Sequence, residues 1–334
     1  MRTFAAILAI APALLSFASA QTWTDCNPME KTCAPNPALA GTYEHDFAKG
    51  AAKDFAVTYN SLVYNRDNVA FRVGKKRDAP TIASRFYIMF GRLEVTLRAA
   101  PGAGVVSSVV LQSDNLDEID WEWVGSKPDE SQSNYFGKGV TAGYDRGAYH
   151  PGPTQDKYHT FAFDWTPEKL DWIIDGQVVR TLRFEDNPGF YPQTPCNVRI
   201  GAWAAGDPDN EKGTIEWAGG EIDYSKGPYD MLVKSIYVQD YSSGKEYVYG
   251  DKSGSWQSIK SVGGTVNAGP QLNNGNIGKI EDTPAGSNSG TIADSSQFKA
   301  PSNSGLVPSA TEKTRPSYLH LLWIIWLGIW LWIE

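Results

Sequence analysis

Short runs of alternating apolar and polar residues fill the chain from about residue 40 to 250. Segments 55–64, 68–73, 85–99, 104–113, 117–125, 159–165, 170–182, 197–203 and 231–241 follow this pattern. They are rich in Val, Ile, Phe, Tyr and Thr, which fit a pleated, half-buried surface. Each run therefore predicts a β-strand. Asp175-Gly176 separates two apolar stretches and predicts a two-residue hairpin turn. Helical periodicity is scarce. Many strands without intervening helices predict an all-β, antiparallel sandwich or jelly roll built around one core.

The pattern changes at both ends. Residues 1–20 carry one cation, Arg2, then an apolar run closing on Ala18-Ser19-Ala20. A short apolar run ending in small residues predicts a signal peptide cut before Gln21, with a membrane anchor as the alternative. Residues 251–303 are dominated by Ser, Gly and Asn and predict a flexible stalk. Then come the small residues Asn303-Ser304-Gly305, a polar spacer (306–317), and the apolar block 319–333. That order predicts a GPI-attachment signal, with Asn303 as attachment residue and 304–334 removed. A tail-anchored membrane helix is the alternative.

Composition adds exclusions. The 334 residues hold 30 Lys plus Arg against 38 Asp plus Glu, a net charge of −8, so nucleic acid is not an expected partner. With 20% charged and 12% aromatic residues, the chain is not predicted to be mostly disordered. Twelve Trp exceed ordinary core needs, although four lie in the apolar tail. Cys26 and Cys33 lie close together in DCNPMEKTC and predict a local disulfide in an oxidising compartment. Cys196 is expected as a buried thiol. Without a Cys/His cluster, no metal is expected, and no Asn-x-Ser/Thr sequon is present.

The segment with most chemical content is Asp117-Glu118-Ile119-Asp120-Trp121-Glu122-Trp123. In a strand, Glu118, Asp120 and Glu122 share one face, and Ile119, Trp121 and Trp123 the other. Three carboxylates on one face repel, so a structural purpose is a poor explanation. Retaining glycoside cleavage uses two carboxyls about 5–5.5 Å apart. The Cα atoms of Glu118 and Glu122 are about 13 Å apart at ~3.3 Å per residue, so inward-leaning side chains are required. Like-charge proximity raises the pKa of one group, as a general acid needs. A solvated acidic strand and a calcium site are the alternatives. Calcium sites usually draw their ligands from a loop.

Asp-Glu-Ile-Asp-Trp-Glu resembles the DE-[aliphatic]-D-x-E signature of glycoside hydrolase family 16. Segments 133–139, 144–150, 206–208 and 213–220 narrow the likeness to the fungal Crh-type transglycosylases. The resemblance covers about residues 21–245 and implies a catalytic domain over 21–250, a concanavalin-like jelly roll with an open carbohydrate cleft. It implies Glu118 as nucleophile, Glu122 as acid/base and Asp120 as the assisting group. It further implies transfer of chitin onto β-glucan in the cell wall, without a cofactor, by a secreted monomer GPI-anchored at the plasma membrane. Trp203-Ala204-Ala205-Gly206-Asp207 departs from the expected Trp-Ala-Gly-Gly-Asp.

Trp217 and Trp203 are candidate sugar platforms, with core packing as the alternative. Tyr135 and Tyr144 are candidate partners for sugar hydroxyls, and Gln112 a candidate cleft residue. The carboxylate triplet serves transfer or hydrolysis alike, because the covalent intermediate is common to both. A β-glucanase or chitinase using the same site, or a non-catalytic carbohydrate-binding sandwich, therefore stays open.

Overall fold

The computed structural model describes residues 24–140 and 146–269. Two antiparallel sheets face each other. In the first, strands Phe55–Tyr59, Thr81–Ile88, Cys196–Ala204, Val105–Ser113, Glu118–Val124, Glu130–Phe136 and Ala148–Pro151 lie side by side in that order. In the second the order is Val63–Tyr64, Val69–Val73, Tyr229–Asp240, Gly91–Arg98, His159–Trp165, Lys169–Ile174 and Gln177–Arg183, with Thr42–Asp46 also paired to Tyr229–Asp240. This is the expected all-β jelly roll. The Asp175-Gly176 turn is present, with φ of 47° and 82°, as a two-residue hairpin of this kind requires.

Alternation predicted one strand across 85–99, but the chain divides it between the sheets. Phe90 takes φ 61° and Gly91 φ 152°. A Cβ on Gly91 would lie 2.2 Å from the Gln239 carbonyl oxygen, so only glycine fits this crossing. The strand Glu130–Phe136 escaped the apolar pattern because both of its faces are polar. On its inner face, Ser133 Oγ bonds His150 Nε2 (2.8 Å) and accepts from Arg180 Nη1 (2.8 Å).

The sheets are fastened through the core. Trp121 Nε1 donates to the Ala162 carbonyl (3.1 Å), and Trp172 Nε1 donates to the Asp120 carbonyl (3.1 Å). Indoles thus reach across in both directions, fixing the backbone of the acidic strand from behind. Trp165 is also fully buried.

Cys26 and Cys33 form the expected disulfide, and Cys196 is buried. The folded unit extends past residue 250, where composition placed the start of the stalk. Ile259–Ser261 pairs with Glu246–Tyr249, and Trp256 packs 6.0 Å from Phe90. Small polar residues here form turns and a short strand, which composition does not distinguish from a linker. Residues 1–20, 270–303 and 304–334, with Asn303, lie outside the described residues.

Asp240 ties this C-terminal hairpin to the body. Its fully buried carboxylate accepts from the amides of Ala40 (3.0 Å), Met89 (3.1 Å) and Ser242 (3.0 Å), and from the Tyr247 hydroxyl. Each buried donor left unpaired costs about 1–3 kcal/mol. Asp240→Ala is expected to lower unfolding free energy by at least about 3 kcal/mol in urea titration. A loss below about 1 kcal/mol would contradict this hub role.

Candidate active site

The acidic strand Glu118–Val124 is buried along its whole length. Its inner face, Ile119, Trp121 and Trp123, enters the core cluster. Its other face carries Glu118, Asp120 and Glu122 with 6%, 0% and 2% exposure. The two glutamates keep residual access, whereas the aspartate between them has none. The carboxylates therefore sit in a low-dielectric setting, not on a solvated strand.

Asp117 fixes the entry to this strand. Its buried carboxylate accepts from the Lys138 amide (2.8 Å), the Gln193 amide (2.9 Å) and the Thr194 hydroxyl (2.7 Å). Burial still pushes its pKa up, against those hydrogen bonds. The motif's first acid is thus a structural anchor that orients the three after it.

Residues directly opposite in an antiparallel pair share a face, so register maps the surroundings of the triplet. Gln112 lies opposite Glu118, Val110 opposite Asp120, and Ser108 opposite Glu122. On the other flank Phe136, Asn134 and Gln132 take the same three positions. One strand further, Asn197 follows Gln112, Arg199 follows Val110, Gly201 follows Ser108, and Trp203 follows Val106. Tyr87 then follows Asn197, and Tyr149 follows Gln132.

Gln112 is placed as expected, with Nε2 3.4 Å from Glu118 Oε2. Trp217 and Trp203 also belong to this side, since Trp217 Nε1 donates to Gln132 Oε1 (2.9 Å) and the two rings are 6.2 Å apart. Their exposures are only 3% and 5%. Packed into one another with Val106 and Val124, they form a wall and present no open indole face in this structure. Tyr135 is a correction. It lies opposite Ile119, so its ring points into the core, where the Arg180 guanidinium sits 5.3 Å above it. Adjacent strand residues face opposite ways, and its neighbours Asn134 and Phe136 take the outer face instead. Tyr144 falls outside the described residues.

Sequence reading missed Gln132, Asn134, Asn197, Arg199 and Tyr149. The signal for two of them was present. Stepping back from Trp203 in twos along its strand reaches Gly201, Arg199 and Asn197. Tyr149, 44% exposed with Lys127 Nζ 5.1 Å from its ring centre, is an open aromatic of this face among the described residues.

Electrostatics separates the three acids. No described donor reaches either carboxylate oxygen of Asp120. Burial first, then the charges of Glu118 and Glu122, hold its pKa well above the usual carboxylate range. The raised pKa favours the protonated form of Asp120, the form that can donate to a neighbouring carboxylate.

A pKa raised by folding stabilises the fold at low pH, and that contribution is lost as pH rises through the raised value. Asp120→Asn cannot ionise and lacks this loss. The urea midpoint of the variant is expected to fall less than that of the parent as pH rises above the usual carboxylate range. Parallel midpoint-versus-pH curves would show that Asp120 is not the protonated member.

Comparison with known proteins agrees with this geometry. Residues 50–219 match glycosyl hydrolases family 16. Crh-like protein 4 of Aspergillus fumigatus is 49% identical over 282 residues, covering 83% of this chain and 62% of that protein. Congo red hypersensitive protein 1 of Saccharomyces cerevisiae is 47% identical over 245 residues, covering 72% of this chain and 48% of its own. This chain thus spans under two thirds of the length of these relatives. A solved structure described as a Crh5 transglycosylase in complex with NAG shares 52% identity at a TM-score of 0.69. It covers 71% of this chain and 100% of that one. Matched profile, relatives and the acidic strand together place the chain in glycosyl hydrolase family 16.

Proposed function

We propose that this protein is a retaining cell-wall transglycosylase that cleaves chitin and transfers the released segment to β-glucan. The observation that carries the reading is the buried row Glu118–Asp120–Glu122 on one face of a single strand. Glu118 attacks the anomeric carbon while Glu122 protonates the departing oxygen, giving a glycosyl–Glu118 ester. Glu122 then takes a proton from the acceptor hydroxyl, and the sugar leaves Glu118 with its configuration restored. A 52% identical relative is described as a transglycosylase and holds NAG, which supports transfer over hydrolysis.

Incubating the protein with a chitin oligosaccharide and a labelled β-glucan oligosaccharide tests this. Mixed, labelled products are expected. Shortened chitin chains alone would replace transfer with hydrolysis, and labelled fragments from glucan alone would point to a glucanase.

The ends of the chain supply the address. Residues 1–20 act as a secretion signal, 270–303 as a stalk, and 304–334 as a signal exchanged for a GPI anchor at Asn303, leaving a monomer at the cell surface. The small triplet, polar spacer and apolar block support this order. Mass analysis of the C-terminal peptide from cell-derived protein should show a lipid-linked glycan on Asn303. An intact Glu334 terminus would overturn it.

A further inference from the structure

Arg199 is a cation set into the carboxylate face without an acid bonded to it. It stands in the same cross-strand row as Val110 and Asp120. Its Nε donates to Asn197 Oδ1 at 3.2 Å. Asn197 belongs to the neighbouring row, with Gln112 and Glu118. That hydrogen bond turns the guanidinium toward the Glu118 row. At ~4.8 Å per strand, Asn197 is about 10 Å from the Glu118 backbone, a span that the extended side chains of Arg and Glu can bridge. Glu118, Asp114 and Tyr87 all act electrostatically on the guanidinium.

Two of these neighbours are already engaged. Asp114 accepts from Tyr87 Oη (3.0 Å) and Asn36 Nδ2 (2.7 Å). Gln112 is directed at Glu118. Among the described residues, neither Nη group of Arg199 makes a hydrogen bond or ion pair. The side chain is partly exposed, and its desolvation lowers its pKa. Its Nη groups therefore stand open on this face to an acceptor brought by a bound sugar.

We propose that Arg199 is a specificity-determining residue that hydrogen-bonds the 2-acetamido carbonyl of the donor sugar seated over Glu118. This deepens the transglycosylase reading and rests on it. Glu118 attacks C1, so the substituent beside the attacked carbon is the one on C2. An amide carbonyl on C2 is an acceptor only, matching a group that only donates. It also reaches further from the ring than a hydroxyl does. A glucose unit offers at this position only a hydroxyl, which is shorter and serves equally as donor. Discrimination follows from the charge-assisted hydrogen bond that the acetamido carbonyl gains and the shorter hydroxyl does not reach.

Two tetrasaccharides differing only at C2 isolate the effect: β-1,4-linked N-acetylglucosamine and β-1,4-linked glucose. Binding to the catalytically silenced Glu118→Gln protein, measured by calorimetry, removes turnover from the comparison. The acetamido chain is expected to bind at least about 10-fold tighter, as a hydrogen bond to a charged group made by one sugar alone gives. Adding Arg199→Gln should bring the two affinities within about 3-fold, chiefly by weakening the acetamido chain. Arg199→Lys, which keeps the charge without the planar fork, should fall between. An unchanged preference in Arg199→Gln, or equal weakening of both sugars, would overturn the assignment. In the otherwise unaltered enzyme, a changed pH profile with no change in donor preference would also overturn it, leaving Arg199 as support for Glu118. If neither tetrasaccharide binds Glu118→Gln while transfer from other donors persists, the donor assignment fails together with this inference. If Arg199→Gln alone abolishes the preference, both stand.

Discussion

Glu118→Gln should lower kcat/KM for transfer by about 10⁴-fold, equivalent to about 5 kcal/mol of lost transition-state stabilisation. The amide keeps the shape of the side chain, so the fold and sugar binding should survive. It is a far poorer nucleophile than the carboxylate that forms the glycosyl ester. The surroundings make this assignment physical. Glu118 has Gln112 Nε2 at 3.4 Å and shares the face with Asp120, whose pKa is raised by burial and by both glutamates. The raised pKa favours the proton on the central acid, and Gln112 faces the Glu118 carboxylate. Initial rates over a range of donor concentrations, with circular dichroism to verify folding, make the measurement. Retention of more than one-tenth of parent activity would remove Glu118 from the nucleophilic role.

Glu122→Gln should differ in kind. Loss of a general acid–base costs about 10²–10⁴-fold, and here the larger end is expected with a natural oligosaccharide, whose departing oxygen needs a proton. A donor bearing a nitrophenolate leaving group needs little protonation, so its first step should be spared. The glycosyl–Glu118 ester should then accumulate, visible as a burst of nitrophenol and as an adduct by mass. The alkaline limb of the pH–rate profile should disappear with the proton-bearing group. Equal losses for both donors, with no burst, would instead make Glu122 a positioning residue. Ser108 and Gln132 flank it in the sheet, and Gln132 is held by Trp217 Nε1. The Trp203–Trp217 wall therefore bears on the acid/base end of the triplet.

Much of this was legible along the chain. Period-two alternation located the strands His159–Trp165 and Glu118–Val124 within a residue, because each has one strongly apolar face. The triplet was legible for the same reason. Three acids backed by Ile-Trp-Trp leave no ambiguity about which face is which. Glu130–Phe136 was hidden because polarity on both faces erases the period. Tyr135 was misjudged because a motif gives neighbourhood, whereas the side a residue faces depends on register with Glu118–Val124. The aromatic count correctly signalled a ring-rich protein but not which rings stay open. Trp203 and Trp217 close on each other, while Tyr149 remains exposed.

The sequence by itself determined the all-β class, the acidic row, the Cys26–Cys33 pair and the Asp175-Gly176 hairpin. All are local, set by side-chain period, turn chemistry or short chain separation. The tertiary structure decided how far the acids are buried and that burial beside two glutamates raises the pKa of the central one. It also brought Arg199, 81 residues beyond Glu118, to the same face. These depend on strands distant in the chain lying next to each other, because desolvation and Coulomb interactions act through space. No period in the sequence encodes them.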